Sequence, residues 1–366
     1  MRLSFFIIFL FITNSVLSQD LDYVFKSGND GYNCFRIPTI IKAKNGTLLA
    51  FAEGRKNSCS DTGDVDLVYK KSFDNGKSWS DLQVIWDDGM NTCGNPSPVL
   101  DHESGRLSLL STWNRGEDQE WQIIDQKSID TRHVFLIHSN DNGKTWSKPK
   151  EITNDVKLDN WTWYATGPVN GIQLKKGKNK GRLIIPCDHI EAETKHYYSH
   201  IIYSDDGGLN WNLGGSTPQH QVNECTVIEF KNGDLLLNMR NYTDDRLRKL
   251  SLSKDQGISW GNIYSHESLI EPICQASMIN IRRPFTNDLL AFSNPNSKTN
   301  RERMTIQLSF DKAKSWSNNI LLHDGPSAYS NLVQLNSEEI GCLFEGGKKS
   351  AYDGIAFEKI NIKDVK

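Results

Sequence analysis

The chain has 366 residues, a formal charge of −3 at neutral pH and 24% charged residues, without any Lys- or Arg-rich run. A nucleic-acid partner, which would need a basic face or stripe, is excluded on that balance. Length alone would allow two domains, but no Pro/Ser/Gly linker, low-complexity tract or shift in composition divides the chain, so one folded unit without an appended module is expected.

At the N-terminus, MRLSFFIIFLFITNSVLS carries one Arg, an apolar run and then small residues. This is the pattern of a secretory signal peptide, giving residues 1–18 as leader and 19–366 as the folded domain, with a secreted or periplasmic destination. No Cys follows the expected cut, so lipid anchoring is not indicated. No other segment approaches the ~20 apolar residues of a membrane span, and stable membrane insertion is not expected.

Beyond the leader, short apolar strands follow turn signals. Asn45-Gly46 precedes TLLAFAE and Asn232-Gly233 precedes DLLLNMR, as hairpin turns do. VDLVYKKS, HVFLIHS and HIIYS each lead into one pattern, Ser-x-Asp-x-Gly-x-(Ser/Thr)-Trp, at Ser72, Ser139 and Ser204, and further copies begin at Ser253 and Ser309. Asp can fold back onto backbone N–H groups, Gly accepts positive φ, and Trp anchors the turn on its sheet. Asn210 replaces the usual Ser/Thr in the third copy, and Ala313 replaces Gly in the fifth, which must then manage φ differently or be looser. The copies recur roughly every 50 to 70 residues, the span of a four-stranded blade with its loops. The expected fold is an all-β, six-bladed β-propeller, one blade being stitched from both chain ends.

Seven Cys leave at least one thiol unpaired within the chain. Cys187, Cys225, Cys274 and Cys342 lie in apolar runs and read as buried small hydrophobes. Cys59 and Cys93 lie in loop-like sequence and form the first pair to suspect. Nothing in their spacing suggests a metal site, and no cofactor is expected.

Several charged residues stand in odd company. Arg36 is embedded in CFRIPTI, Arg240 closes LLLNMR, and Arg301 opens RERMT beside Arg303. One such Arg would be read as a sheet ion pair. Three on separate repeats of a ring point to convergence on an anion, for which the guanidinium fork is suited. Glu224 leads the apolar strand NECTVIEF and needs a partner, while Tyr329 lies in turn-rich GPSAYS. Together they make sense as a base and the phenol it activates. Asp61 in NSCSDTGDVD is a candidate general acid, with Asp64 and Asp66 as rivals on spacing alone.

FRIPT, AFAEGR, SDTGDVDLV, the Asp boxes, NECTVIEF, LNMRNY, EPICQAS, FSNP with RERMT, GPSAYS and GCLFE together resemble the secreted bacterial sialidases (exo-α-neuraminidases), from about Tyr32 to Phe357. That resemblance implies a retaining exo-α-sialidase acting on sialylated glycans, without metal or organic cofactor. It assigns Arg36, Arg240 and Arg301 to the substrate carboxylate, with Arg303 the lesser choice, Tyr329 as nucleophile, Glu224 as its base and Asp61 as acid/base. It gives Glu345 as the carboxylate orienting Arg36, and Arg55 as a wall of the sugar site. Asn331 stands where the family commonly has Asp, and Phe344 where Tyr is frequent, which puts the pocket's polarity in question without removing a reacting atom. Trp121, Trp161 and Trp163 are read either as contacts for the N-acetyl group or aglycone or as core. The alternatives are transfer to another acceptor, an anhydro product, or a non-catalytic sialic-acid-binding propeller, the last expected to lack Tyr329, Glu224 or Asp61. Monomer is the default state.

Overall fold

The computed structural model describes residues 21–283 and 288–363, so the leader reading lies outside the described residues. Alternating and continuous apolar runs produce an all-β chain whose strands follow one another as antiparallel meanders. Cys34–Lys42, Leu48–Arg55, Val65–Ser72 and Gln83–Trp86 form one such run, and Thr92–Leu100, Leu107–Asn114, His133–Ser139 and Lys150–Glu151 the next. A single parallel contact, Val65 opposite Thr92, joins the two into an eight-stranded sheet. Trp161–Thr166, Leu183–Glu191, Tyr197–Ser204 and Asn212–Ser216 follow, with Ile172–Gln173 on the flank, and then Val222–Glu229, Leu235–Asn241, Leu247–Ser253 and Tyr264–Ile270.

The last sheet has seven strands and closes the chain on itself. In it, Ser317–Gln334 pairs with Glu302–Ser309 through its first part and with Glu339–Gly346 through its second. Gly354–Asn361 then receives the N-terminal strand Tyr23–Lys26.

Burial grades across each meander. Cys34–Lys42, Thr92–Leu100 and Val222–Glu229 are buried almost throughout, on both faces, whereas the final strands Gln83–Trp86 and Lys150–Glu151 are not. The leading strands therefore line the interior, and apolar cores fill the space between neighbouring meanders. Ile40, Ala50 and Val68 pack on Val333, Leu343 and Ile355, and Ile184 and Ile201 pack on Val227, Leu235 and Leu237. Each fully buried Leu or Ile contributes roughly 1.5–3 kcal/mol, so the strand order is held mainly by these seams.

All five box turns share one hydrogen-bond pattern. In the first, Asp74 Oδ1 accepts from the N–H of Lys77 at 3.1 Å and of Ser78 at 3.0 Å, and Oδ2 from the Ser78 hydroxyl at 2.6 Å. In the third copy, Asn210 Nδ2 donates to Asp206 Oδ2 at 2.8 Å and takes over the missing hydroxyl's task. In the fifth, Ala313 adopts φ 64°, in the left-handed region where the other copies place Gly, and keeps its N–H on Ser309 Oγ at 3.0 Å.

The disulfide differs from the expected Cys59–Cys93 pair: Cys34 is bonded to Cys59. In the sheet Cys34 lies opposite Arg55, four residues before Cys59, so the loop beyond Arg55 returns over it. Cys93 instead packs among Leu67, Tyr69 and Leu109, and stays a free buried thiol with Cys187, Cys225, Cys274 and Cys342.

Candidate active site

The leading strands begin at one end of the molecule, and their first residues and the last residues of the adjoining antiparallel strands converge on a cavity of about 200 Å³. Arg36, Arg55, Asp61, Glu224, Arg240, Arg301 and Tyr329 all line it. A larger cavity, about 510 Å³, opens at the opposite ends of the same strands, beside Ile41, Val99, Val227 and Leu332, and none of the predicted site residues lines that one.

Arg36 is held from below. Its Nε and Nη2 donate to the two oxygens of Glu345 at 2.9 and 3.3 Å, a bidentate pair with Glu345 fully buried. The same carboxylate accepts the backbone N–H of Ile37 at 2.9 Å and of Tyr329 at 3.1 Å, tying the strand of Arg36 to the strand of Tyr329. Ile37 adopts φ 59°, an outlier for a β-branched residue, where the strand breaks register to turn Arg36 into the cavity. Tyr352 closes the side of Arg36, its ring centroid 4.1 Å from the guanidinium carbon.

Across the cavity, the Tyr329 hydroxyl donates to Glu224 Oε1 at 2.6 Å. Arg240 Nη1 donates to Glu224 Oε2 at 2.6 Å and to the Tyr329 hydroxyl at 3.0 Å. Arg301 donates to the Ile273 carbonyl at 2.9 Å and to the Tyr352 hydroxyl at 3.3 Å, its guanidinium carbon 5.8 Å from the Tyr329 ring centroid. Burial, then the negative charge of Glu224, push the Tyr329 phenol well above its ordinary range, although Arg240, Arg301 and Arg36 pull the other way. The resting phenol is therefore neutral, with an acceptor for its proton already in place.

Asp61 lies on the open side, with its Oδ1 2.8 Å from Arg55 Nη1 and 3.5 Å from Arg36 Nη1. Burial raises its pKa, but Arg55 and Arg36 outweigh that and hold the carboxyl below the usual range. Its rivals are engaged elsewhere: Asp64 and Asp66 pair with Lys56 at 2.9 and 3.2 Å, and Asp66 also accepts from the Tyr32 hydroxyl at 2.6 Å. Arg303 likewise turns away, to Asp324 at 2.7 Å.

The two departures from the family pattern fall outside the cavity. Asn331 is fully buried and accepts from the Ile40 N–H at 2.8 Å while donating to Asn170 at 2.7 Å; Phe344 packs in an apolar cluster. Of the three tryptophans, Trp163 lines the cavity beneath Arg132 (3.9 Å), Trp161 is stacked on His189 (3.4 Å), and Trp121 is exposed on the short helix Glu120–Ile124.

The sequence reading missed Glu53, Glu120, Arg132, Asp188, Tyr242 and Tyr352, all of which line the cavity. Asp188 carried the same signal as Glu224, an acid inside the apolar strand LIIPCDHIE. Arg132 carried none, since TRHV reads as an ordinary strand entry. Chemically, the cavity joins five guanidinium groups, among them Arg36, Arg240 and Arg301 around Tyr329, with a phenol hydrogen-bonded to the Glu224 carboxylate and the Asp61 carboxylate on the solvent side. Such a set can hold an anion, present a neutral nucleophile to it, and exchange a proton with a departing group.

A family described as BNR repeat-like domain matches residues 46–342. A sialidase of Bacteroides fragilis is 32% identical over 359 residues, covering 93% of this chain and 64% of that protein. An exo-alpha-sialidase of Aspergillus fumigatus is 30% identical over 369 residues, covering 91% of this chain and 85% of that one. Among solved structures, the Hadza microbial sialidase Hz136 is 28% identical, has a TM-score of 0.85, and is matched over 94% of this chain and 69% of its own.

Proposed function

The chain belongs to the sialidase family, and from that premise we propose that it hydrolyses terminal α-linked sialic acids from glycoproteins, glycolipids and oligosaccharides, with retention, using Tyr329 as nucleophile. One observation carries this reading: the Tyr329 hydroxyl lies 2.6 Å from Glu224 and 3.0 Å from Arg240, in a cavity that Arg36 and Arg301 also line.

The physical reason for a phenol is charge. Sialic acid bears a carboxylate on its anomeric carbon, which repels a carboxylate nucleophile, so the usual two-carboxylate arrangement gives way to a tyrosine. Arg36, Arg240 and Arg301 bind that carboxylate and set the anomeric carbon beside Tyr329, which lowers the barrier by making attack nearly intramolecular. As the phenol oxygen attacks, its proton passes to Glu224 and Asp61 protonates the leaving oxygen. Asp61 then takes a proton from water, which displaces Tyr329 as Glu224 returns the phenol's proton, and the sugar leaves with the original configuration. Arg55 orients Asp61, and Glu345 holds Arg36.

We also read the four sheets as six blades in a ring. The eight-stranded sheet supplies two, the seven-stranded sheet two more divided within Ser317–Gln334, and Tyr23–Lys26 completes the last. Export of the mature chain follows from the leader reading, and N-terminal sequencing of secreted protein should begin near Gln19.

The test is hydrolysis of a fluorogenic α-sialoside by protein lacking residues 1–18, beside its Tyr329→Phe variant, with the first-formed anomer read by NMR. Release of α-sialic acid by the wild type, crippled in the variant, is the expected result. First-formed β-anomer, or a fully active Phe variant, contradicts the reading.

A further inference from the structure

Asp61 is held differently from its neighbours in the cavity. Arg36 rests on Glu345 and Tyr329 on Glu224, both through strands of the sheets. Asp61 sits on the irregular stretch between Leu48–Arg55 and Val65–Ser72, with its side chain 62% exposed. Bonds on either side of Asp61 are short-range, from the Ser60 N–H to Ser58 Oγ at 3.1 Å and from the Thr62 N–H to Ser60 Oγ at 3.4 Å, and the far end of the stretch is tied at Gly63, whose N–H and carbonyl meet the Thr92 hydroxyl at 3.2 and 3.0 Å.

One covalent anchor reaches the stretch. Cys59, two residues before Asp61, is bonded to Cys34, two residues before Arg36. Because Cys34 faces Arg55 across the sheet, the bridge folds the chain back immediately after Arg55. Arg55 completes that fold by donating to the Cys59 carbonyl at 2.7 Å, and reaches Asp61 at 2.8 Å with the same Nη1. The disulfide thus fixes the loop at the point where its own arginine clamps Asp61. Arg36 is held by the bidentate Glu345 carboxylate, a contact that does not run through the bridge.

We propose that Cys34 and Cys59 are positioning residues for proton transfer by Asp61, so that opening their disulfide impairs protonation of the leaving group while sparing attack by Tyr329. This rests on the reading of Asp61 as the acid. Cys34 is fully buried and Cys59 half-buried, which makes Cys59 the sulfur that a small dithiol meets first. A dithiol thiolate attacks one sulfur, the mixed disulfide resolves to the cyclic oxidised dithiol, and two cysteine thiols form, two electrons and two protons having moved. The freed loop must then be ordered at each turnover, and the loss falls on the step that needs Asp61 in place.

Leaving groups separate this role from a merely structural one. A nitrophenolate departs without help, whereas a sugar alkoxide needs its proton. The experiment compares kcat/KM, which reads the step that expels the leaving group and not the later release of the sugar from Tyr329, on 4-nitrophenyl α-sialoside and on sialyllactose for four forms: oxidised wild type, wild type reduced with dithiothreitol, Cys34→Ser/Cys59→Ser, and Asp61→Asn. Opening the bridge should lower kcat/KM on sialyllactose roughly tenfold or more and on the nitrophenyl substrate by no more than about threefold, with Asp61→Asn showing the same selectivity more strongly. The serine pair should not respond to dithiothreitol, and thermal unfolding reports whether it folds. Should it fail to fold, reduction of the folded wild type reads the same ratio. Equal losses on both substrates, or none, overturn the proposal. If Asp61→Asn is selective and the opened bridge is not, the positioning role alone falls; if Asp61→Asn is unselective, the acid assignment falls and takes this inference with it.

Discussion

In the turn from Ser72 to Trp79, Asp74 accepts from two N–H groups and two hydroxyls within four residues, and the Gly76 N–H finds Ser72 Oγ at 2.8 Å. In the cavity, Arg240 leaves Nε buried without a protein partner, Arg132 leaves Nε and Nη1, and Asp188 leaves Oδ1. Both regions are made of polar side chains, but in the turns the Asp, Ser and backbone groups satisfy one another and the groups left buried without a partner are neutral indole Nε1 atoms, of Trp146, Trp211 and Trp316, whereas in the cavity it is charged groups that go unmet. A buried unmet donor or acceptor costs about 1–3 kcal/mol. The turns therefore add stability and offer a ligand nothing, whereas the cavity forgoes stability and keeps capacity for a polar anionic substrate.

This contrast can be broken from the cavity side first. Glu224→Gln removes the acceptor of the phenol proton and should lower kcat/KM by about 10²- to 10⁴-fold. Thermal unfolding should show a smaller loss than Glu345→Ala, since the amide fills the same space but no longer supplies the counter-charge that Arg240 meets at 2.6 Å. Glu345→Ala should do both kinds of damage. It strands Arg36 as an unpaired buried cation and releases two backbone N–H groups, and denaturant unfolding should show a loss of about 3–5 kcal/mol.

From the turn side, Gly76→Ala places a methyl at φ 84°, 2.1 Å from the Phe357 ring. Stability should fall by about 1–3 kcal/mol while kcat/KM of the folded fraction stays at the wild-type value. A matching loss of activity per folded molecule would mean that turns and cavity are not separable.

The smallest effect is in pH dependence. An acid must be protonated to act, so rate falls as pH rises through its pKa. In the free protein Arg55 and Arg36 hold Asp61 low. Substrate carboxylate on Arg36 offsets part of that charge and raises the pKa, so the alkaline limb of kcat should lie up to about one pH unit above that of kcat/KM. Coincident limbs would show that Asp61 does not sense the bound anion.

The same contrast explains what the sequence disclosed. Box turns are local, so eight residues reveal Asp, Gly and Trp in their roles; the fifth departs from expectation, since Ala313 takes the left-handed φ of the Gly copies and keeps the same bonds instead of managing the turn differently. Arg36, Arg240, Arg301, Glu224 and Tyr329 were legible because a charge or phenol in an apolar or turn-rich setting demands a reason, and because their flanking motifs resemble a family. Choosing Arg301 over Arg303 and Asp61 over Asp64 took that resemblance, and the structure places only the first of each pair in the cavity. Arg132 and Tyr352 were invisible because their neighbours come from distant strands. The Cys59 partner was misjudged for a related reason: the answer lay in the register that sets Cys34 opposite Arg55, which spacing does not reveal.

The account turns on Tyr329 forming a bond to sugar. Incubation with a 3-fluorosialyl fluoride, which slows release of the sugar from the enzyme, followed by peptide mass spectrometry, reads that bond directly. The account predicts one fluorosialyl adduct on Tyr329, absent from Tyr329→Phe. An adduct on Glu224 or Asp61, or turnover of the reagent without any adduct, would contradict it.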